Sequence, residues 1–216
     1  DDEILAFIQA YVPLSAPCSV AIDAPLTVPN VAGRRECEAA LARDFRRYHA
    51  GAHPSNRTRL GAWNGGVPRG EALALRLSEL GIAHDPVLSS AATRRCYEVY
   101  PHPAMIVLFK LERVIPYKAR PSRSDAQRWL AFTHYKKCLR SLATAIPSLE
   151  LPRGFFSTKP FTGVALKAYE DRLDAVFCGY IAAYAVQSPQ KCALYGSVLD
   201  GYIVTPKLRD AKVQNE

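Results

Sequence analysis

The sequence predicts an α/β fold with at least one parallel pair of strands, on three observations. Cys18–Ile22 is an apolar run apart from Ser19, the pattern of a strand covered on both faces. Residues 95–100 form a second strand-like segment, and stretches of helical periodicity separate the two. Strands that alternate with helices pair in parallel, because the crossover helix carries the chain back to the same end of the sheet. Third, residues 162–186 make a long helix with an apolar stripe through Leu173, Val176, Phe177, Tyr180, Ile181 and Tyr184. A line of small residues, including Ala175, Cys178, Ala182 and Ala185, runs beside that stripe and lets the helix lie close to the sheet.

Residues 2–12 open the chain as an amphipathic helix, with Ile4, Leu5, Phe7, Ile8 and Tyr11 apolar and Asp1, Asp2 and Glu3 complementing its dipole. The chain begins without Met, and residues upstream of Asp1 are expected. Pro13 and Pro17 mark a loop before the first strand, and Ala24-Pro25-Leu26 ends that strand because Pro cannot continue a central ladder. Residues 33–48 repeat with helical period through Cys37, Leu41 and Phe45. From 48 to 70 the period fails; Gly, Pro, Ser and Asn collect around Arg57, Arg59 and Trp63, as in a basic loop insertion.

A helix over 70–80 stops at Gly81 in the C′ position. Pro101-His102-Pro103 closes the second strand, a short helix covers 103–112, and a loop covers 113–123. Ser124 caps a helix over 124–145 that carries Trp129, Phe132, Leu139 and Leu142. After Ser188-Pro189, residues 193–204 alternate around Asp200-Gly201 as a hairpin. The expectation is a single domain over 1–216. Four strands are few for so many helices, which points to further strands upstream.

Composition narrows the class. Apolar residues make up 49% and charged residues 22%, values of an ordinary globular protein. With no run of eighteen apolar residues and no basic flank before an apolar segment near the start, the expected location is the cytoplasm. The six cysteines form no C-x-x-C pair and sit partly inside apolar runs, as reduced, buried thiols do. The net charge of +8 is concentrated: residues 31–70 hold eight Arg against three acids, and 110–140 hold nine Lys or Arg against two. Such segregation fits a polyanionic partner such as nucleic acid, and equally a solvated surface. There is no G-x-S-x-G, P-loop or G-x-G-x-x-G, so serine hydrolases, P-loop NTPases and dinucleotide enzymes are excluded.

Acids set into apolar elements carry the functional argument: Asp23 after the first strand, Glu98 within the second, and Asp171 with Asp174 at the opening of the C-terminal helix. Buried carboxylates need a pairing cation, hydrogen bonds or a metal. Each also has a local explanation. Asp23 before Ala-Pro suits an Asx turn, Glu98 can pair with Arg94 or Arg95, and the two helix acids complement the helix dipole. His102, between two prolines, is a candidate ligand or base, or a structural histidine.

Ala21-Ile-Asp-Ala-Pro-Leu26, Tyr97-Glu-Val-Tyr-Pro101, Pro116-Tyr-Lys118 with Arg120, Asp171-x-x-Asp174-Ala175 and Gly201-Tyr-Ile-Val-Thr-Pro206 occur in this order. Together they resemble the DUF429 family, whose members are predicted nucleases of the RNase H-like superfamily. The resemblance implies an RNase H-like mixed sheet flanked by helices. In that fold Asp23 would end the fourth strand, Glu98 would lie in the fifth, and Asp171 or Asp174 would be the C-terminal helix acid. The family's first strand carries an Asp that no segment before Asp23 matches, which implies that the first three strands are missing from this chain.

The expected function is therefore metal-dependent phosphodiester hydrolysis of nucleic acid. Asp23, Glu98 and Asp174 would be catalytic, and Asp23, Glu98, Asp171 and Asp174 would hold Mg²⁺ or Mn²⁺ in a two-ion arrangement. Arg34, Arg57, Lys118 and Arg120 would hold the phosphate backbone. Two rival readings are a non-catalytic nucleic-acid-binding or scaffold protein on the same fold, and a hydrolase of a small phosphorylated metabolite.

Overall fold

The computed structural model describes residues 1–62 and 64–208; Trp63 and the last eight residues of the expected domain lie outside the described set. The element order is α1 (Asp2–Tyr11), β1 (Cys18–Ile22), α2 (Glu36–Phe45), α3 (Arg57–Leu60), α4 (Arg69–Glu79), β2 (Ala83–His84), β3 (Arg94–Glu98), α5 (Pro101–Leu108), α6 (Asp125–Ser141), α7 (Gly163–Gln187), β4 (Cys192–Ser197) and β5 (Gly201–Pro206). The fold is mixed α/β, as expected.

Strands β1, β3 and β2 form a parallel sheet in that spatial order, with Ile22 opposite Glu98. Strands β4 and β5 form an antiparallel hairpin, tied to the sheet by a parallel bridge between Val99 and Val204. Strand β2 is a fifth strand that the sequence pattern did not reveal, because two residues are too short to show a period. Strand β1 departs from the expected doubly covered strand: all five residues are only half-buried. Among the described residues it pairs on one side alone.

Local chemistry sets several boundaries. Ser124 accepts from the Gln127 N–H while the Gln127 side chain accepts from the Ser124 N–H, so α6 opens on a capping box. Gly81, at φ +70°, terminates α4 in the expected way. Pro101-His102-Pro103 starts α5 instead of standing before it, because Pro lacks only an N–H that the first helical turn leaves unpaired anyway. The segment 48–70 is not all loop, since Asn56 caps α3 by accepting from the Arg59 N–H at 3.0 Å.

Strand alternation sends side chains to two cores. Ala21, Tyr97 and Val99 face a cluster built from α5, α6 and α7. Cys18, Val20, Ile22 and Cys96 face a second cluster with Leu5 of α1 and Leu73 and Leu77 of α4. A third cluster joins Cys37, Leu41 and Phe45 of α2 to Ile106 and Ile203. All six cysteines are free thiols, five of them buried. Among the described residues no helix is long and apolar enough to cross a membrane.

Candidate active site

In a parallel sheet, ligands gather beyond the carboxyl ends of the strands. Asp23 lies there, directly after β1, and Tyr100 and His102 follow β3. The alternation that separates the two cores also separates the sequence-predicted acids. Glu98 projects with Ile22 and Cys96, whereas Asp23 continues the opposite face with Ala21.

Glu98 is 3% exposed, and its partner is Arg35 of the segment leading into α2, not Arg94 or Arg95. The Arg35 guanidinium donates to both Glu98 oxygens at 2.6 and 2.8 Å, to Glu38 at 2.9 Å and to the Thr27 carbonyl at 3.0 Å. The Leu26 N–H also donates to Glu98, and the Ser55 N–H to Glu38. Burial pushes the Glu98 carboxyl up to about 7, against the pull of Arg35 and the Leu26 amide. This network ties the end of β3 to α2 and to the segment after β1. It occupies the carboxylate expected as a metal ligand. Arg94 instead caps carbonyls of the neighbouring loops, donating to Pro13, Ala16 and Leu80, and Arg95 does the same at Val87, Ser89 and Ala91.

Asp174 is on the other face, buried on α7. It accepts from Lys118 Nζ at 2.6 Å, from the Tyr117 hydroxyl at 2.9 Å and from the Tyr135 hydroxyl at 3.3 Å. Asp174 is well inside α7 and not at its opening, so the helix dipole does not explain it. Burial raises its pKa, and Lys118 and Tyr117 oppose the rise. Lys118 loses hydration too, yet Asp174, Glu170 and Asp23 hold its pKa above the ordinary lysine value. Asp171, one turn away, is exposed and pairs with Lys167.

The Asp23 carboxylate hydrogen-bonds to no described residue. Desolvation by the surrounding protein pushes it up to about 6, with Asp174 and Asp171 adding repulsion and Lys118 opposing them. Solvent still reaches this exposed side chain, which limits the shift. Asp23 and Asp174 therefore share one field around Lys118. Mg²⁺ binds with one or two carboxylates and completes its shell with water and substrate phosphate oxygens. Asp23, unpartnered and partly desolvated, and Asp174, coupled to it electrostatically, are the carboxylates that could serve such an ion. Among the described residues no three His, Cys, Asp or Glu side chains group to hold a metal, so the four-acid, two-ion arrangement is not assembled.

Sequence patterns did not single out Glu170, 3% exposed and paired with Arg128 at 3.0 Å and Lys118 at 3.2 Å. The signal that could have found it is its i,i+4 spacing to Asp174. Tyr117 fell within the Pro116-Tyr-Lys118 motif without a sign of its bond to Asp174, and Tyr135 left no signal.

Basic residues lie on the other side of Lys118. A pocket of about 320 Å³ is lined by His49, His102, Arg113, Lys118, Arg120 and Arg123 together with three apolar residues. A second, more open pocket shares His49 and Arg120 with it and adds Arg34, Arg43, Arg46 and His53. Lys118 and Arg120 thus line the first pocket, and Arg34 and Arg120 the second. Arg57 lines neither: both Glu71 oxygens, at 3.0 and 3.1 Å, engage it as a strut between α3 and α4.

The fold and this arrangement of acids and bases define an α/β protein with a polar site at the strand ends. The chain belongs to the DUF429 family, whose model, described as a protein of unknown function, matches residues 3–197. No curated protein and no solved structure matches the chain.

Proposed function

We propose that this chain is a metal-dependent phosphodiester hydrolase of RNase H-like architecture acting on nucleic acid. The observation that carries the proposal is Lys118, which bonds the buried Asp174 at 2.6 Å, couples electrostatically to Asp23 after β1 and lines a basic pocket. Asp23 and Asp174 would hold the divalent ion, which when bound supplies charge stabilisation at a phosphoryl oxygen.

The chain's own groups do the rest. Tyr117 and Tyr135 fix the Asp174 carboxylate in one orientation, and Lys118 balances its charge and can donate to a non-bridging phosphate oxygen. Asp23, which lacks a hydrogen-bond partner among the described residues and is ionised at neutral pH, is free to take the ion. Arg34, Arg113 and Arg120 position the phosphate backbone without reading its sequence.

The test is cleavage of single- and double-stranded DNA and RNA with Mg²⁺ or Mn²⁺, with EDTA as control. Asp23→Asn and Asp174→Asn are expected to lose more activity than the ~10–100-fold typical of outer-shell partners. A protein inert on every substrate overturns the proposal. A second reading, a nucleic-acid-binding protein without catalysis, draws support from Lys118, whose ammonium already neutralises Asp174, and from the engagement of Glu98 by Arg35. It predicts tight, metal-independent binding with no cleavage.

A further inference from the structure

The first basic pocket holds a feature that the carboxylate site does not use. His102 lines it, and the His102 Nε2 is buried without a hydrogen-bond partner among the described residues. Its Nδ1 lies 2.8 Å from the Tyr100 hydroxyl. Buried polar atoms are almost always paired, so an orphan on a residue that lines a pocket points to a missing partner atom. Two of the lining cations, Arg113 and Arg120, are exposed side chains that make no hydrogen bond or ion pair with a described residue. Arg123, also in the lining, donates to the Lys118 carbonyl at 2.5 Å. Among the described residues no acid lines the pocket.

We propose that this pocket is a subsite for one phosphate group, held by a neutral His102 through Nε2–H and by Arg113, Arg120 and Arg123. The inference rests on the nucleic-acid reading above and names the contact that sets register on the substrate. Several facts fit it. Burial pushes His102 down to about 3, and Lys118, His53 and Arg120 add to that, so the ring is uncharged at physiological pH. When Tyr100 donates to Nδ1, the ring proton sits on Nε2, a donor with no acceptor but an incoming anion. Arg123 is lowered by partial burial and by the repulsion of Arg120, Arg128 and Arg113, a strain that an anion relieves. The subsite lies between Lys118, which touches Asp174, and the second basic pocket reached through His49 and Arg120. A bound phosphate here would place the neighbouring one toward Asp23 and Asp174.

The test uses long-range ¹H–¹⁵N correlation of the histidine rings in the chain, in EDTA so that hydrolysis plays no part. The expected result is a protonated His102 Nε2 whose signal shifts on titration with a 5′-phosphorylated tetranucleotide. A 5′-hydroxyl tetranucleotide and inorganic phosphate, run separately, tell a terminal from an internal phosphate group. The Arg113→Ala, Arg120→Ala double variant alters exposed residues only. It should abolish the shift and weaken oligonucleotide binding at least about tenfold, with an unchanged Tm. A bare Nε2, a His102 signal indifferent to every phosphate ligand, or undiminished binding by the double variant overturns the subsite. A responsive His102 in a protein that cleaves nothing keeps the subsite and removes the hydrolase. A silent His102 in an active nuclease does the reverse.

Discussion

Arg35 and Asp23 illustrate two opposite fates of charge near the sheet. Arg35, 3% exposed, is bonded on every side, and breaking a buried ion pair leaves an uncompensated charge costing ~3–5 kcal/mol. Arg35→Met should therefore unfold in denaturant with about that loss, and added Mg²⁺ should not restore it. Asp23 is the reverse case, a carboxylate that folding disfavours as an anion. Its folded pKa of about 6 lies above the ordinary aspartate value, so between the two the folded chain binds more protons than the unfolded one. The stability it contributes is complete below about pH 4 and is lost as pH rises through about 6. Asp23→Asn should melt higher than the natural chain at pH 8, with the difference gone at pH 4. Thermal melts across that range in EDTA decide the point, and equal Tm values at every pH would deny that Asp23 is desolvated.

At the scale of elements, the position of Asp23 depends on how closely α4 approaches the segment after β1. A Cβ added at Gly70 would lie 2.1 Å from the Pro25 carbonyl oxygen, so only glycine lets the first turn of α4 rest there. The Glu71 carboxylate then accepts from the Val28 N–H at 2.7 Å and from Arg57, binding the same segment to α3. Gly70→Ala should cost ~1–3 kcal/mol through overpacking. It should also lower any cleavage activity more than a surface change such as Leu75→Ala, because it displaces the segment that carries Asp23. Denaturant midpoints and the cleavage assay, measured on both variants, check this.

At the scale of the whole molecule, basic charge from two distant stretches of sequence becomes one continuous surface. Arg34, Arg43 and Arg46 of the α2 region meet Arg120 of the loop before α6 across His49. Binding of single-stranded nucleic acid should weaken as salt rises, with a log–log slope of about −0.7 for each phosphate neutralised. Arg34→Ala, Arg43→Ala and Arg46→Ala together should make that slope shallower, while Arg57→Ala, whose side chain serves Glu71, should leave it unchanged. Fluorescence anisotropy at several salt concentrations gives the slopes. A salt-independent Kd would favour the small-metabolite alternative.

Local features of this fold are legible in the amino-acid sequence alone. A mostly apolar run marks β1, a Ser with Gln three residues on marks the start of α6, and Gly81 marks the end of α4, because each depends on neighbours in the chain. The acids too can be picked out, since a carboxylate among apolar residues is conspicuous wherever it falls. Which of them meet is decided only by tertiary packing. The alternation of β1 and β3 turns Asp23 away from Glu98, which Arg35, 63 residues away, claims on the opposite face. The Tyr117 and Tyr135 hydroxyls on Asp174, the Glu170 cluster and the orphaned His102 nitrogen likewise arise between elements remote in sequence. Periodicity tells which face of an element is buried; the partner across that face is fixed by the register and approach of other elements, which no local pattern encodes.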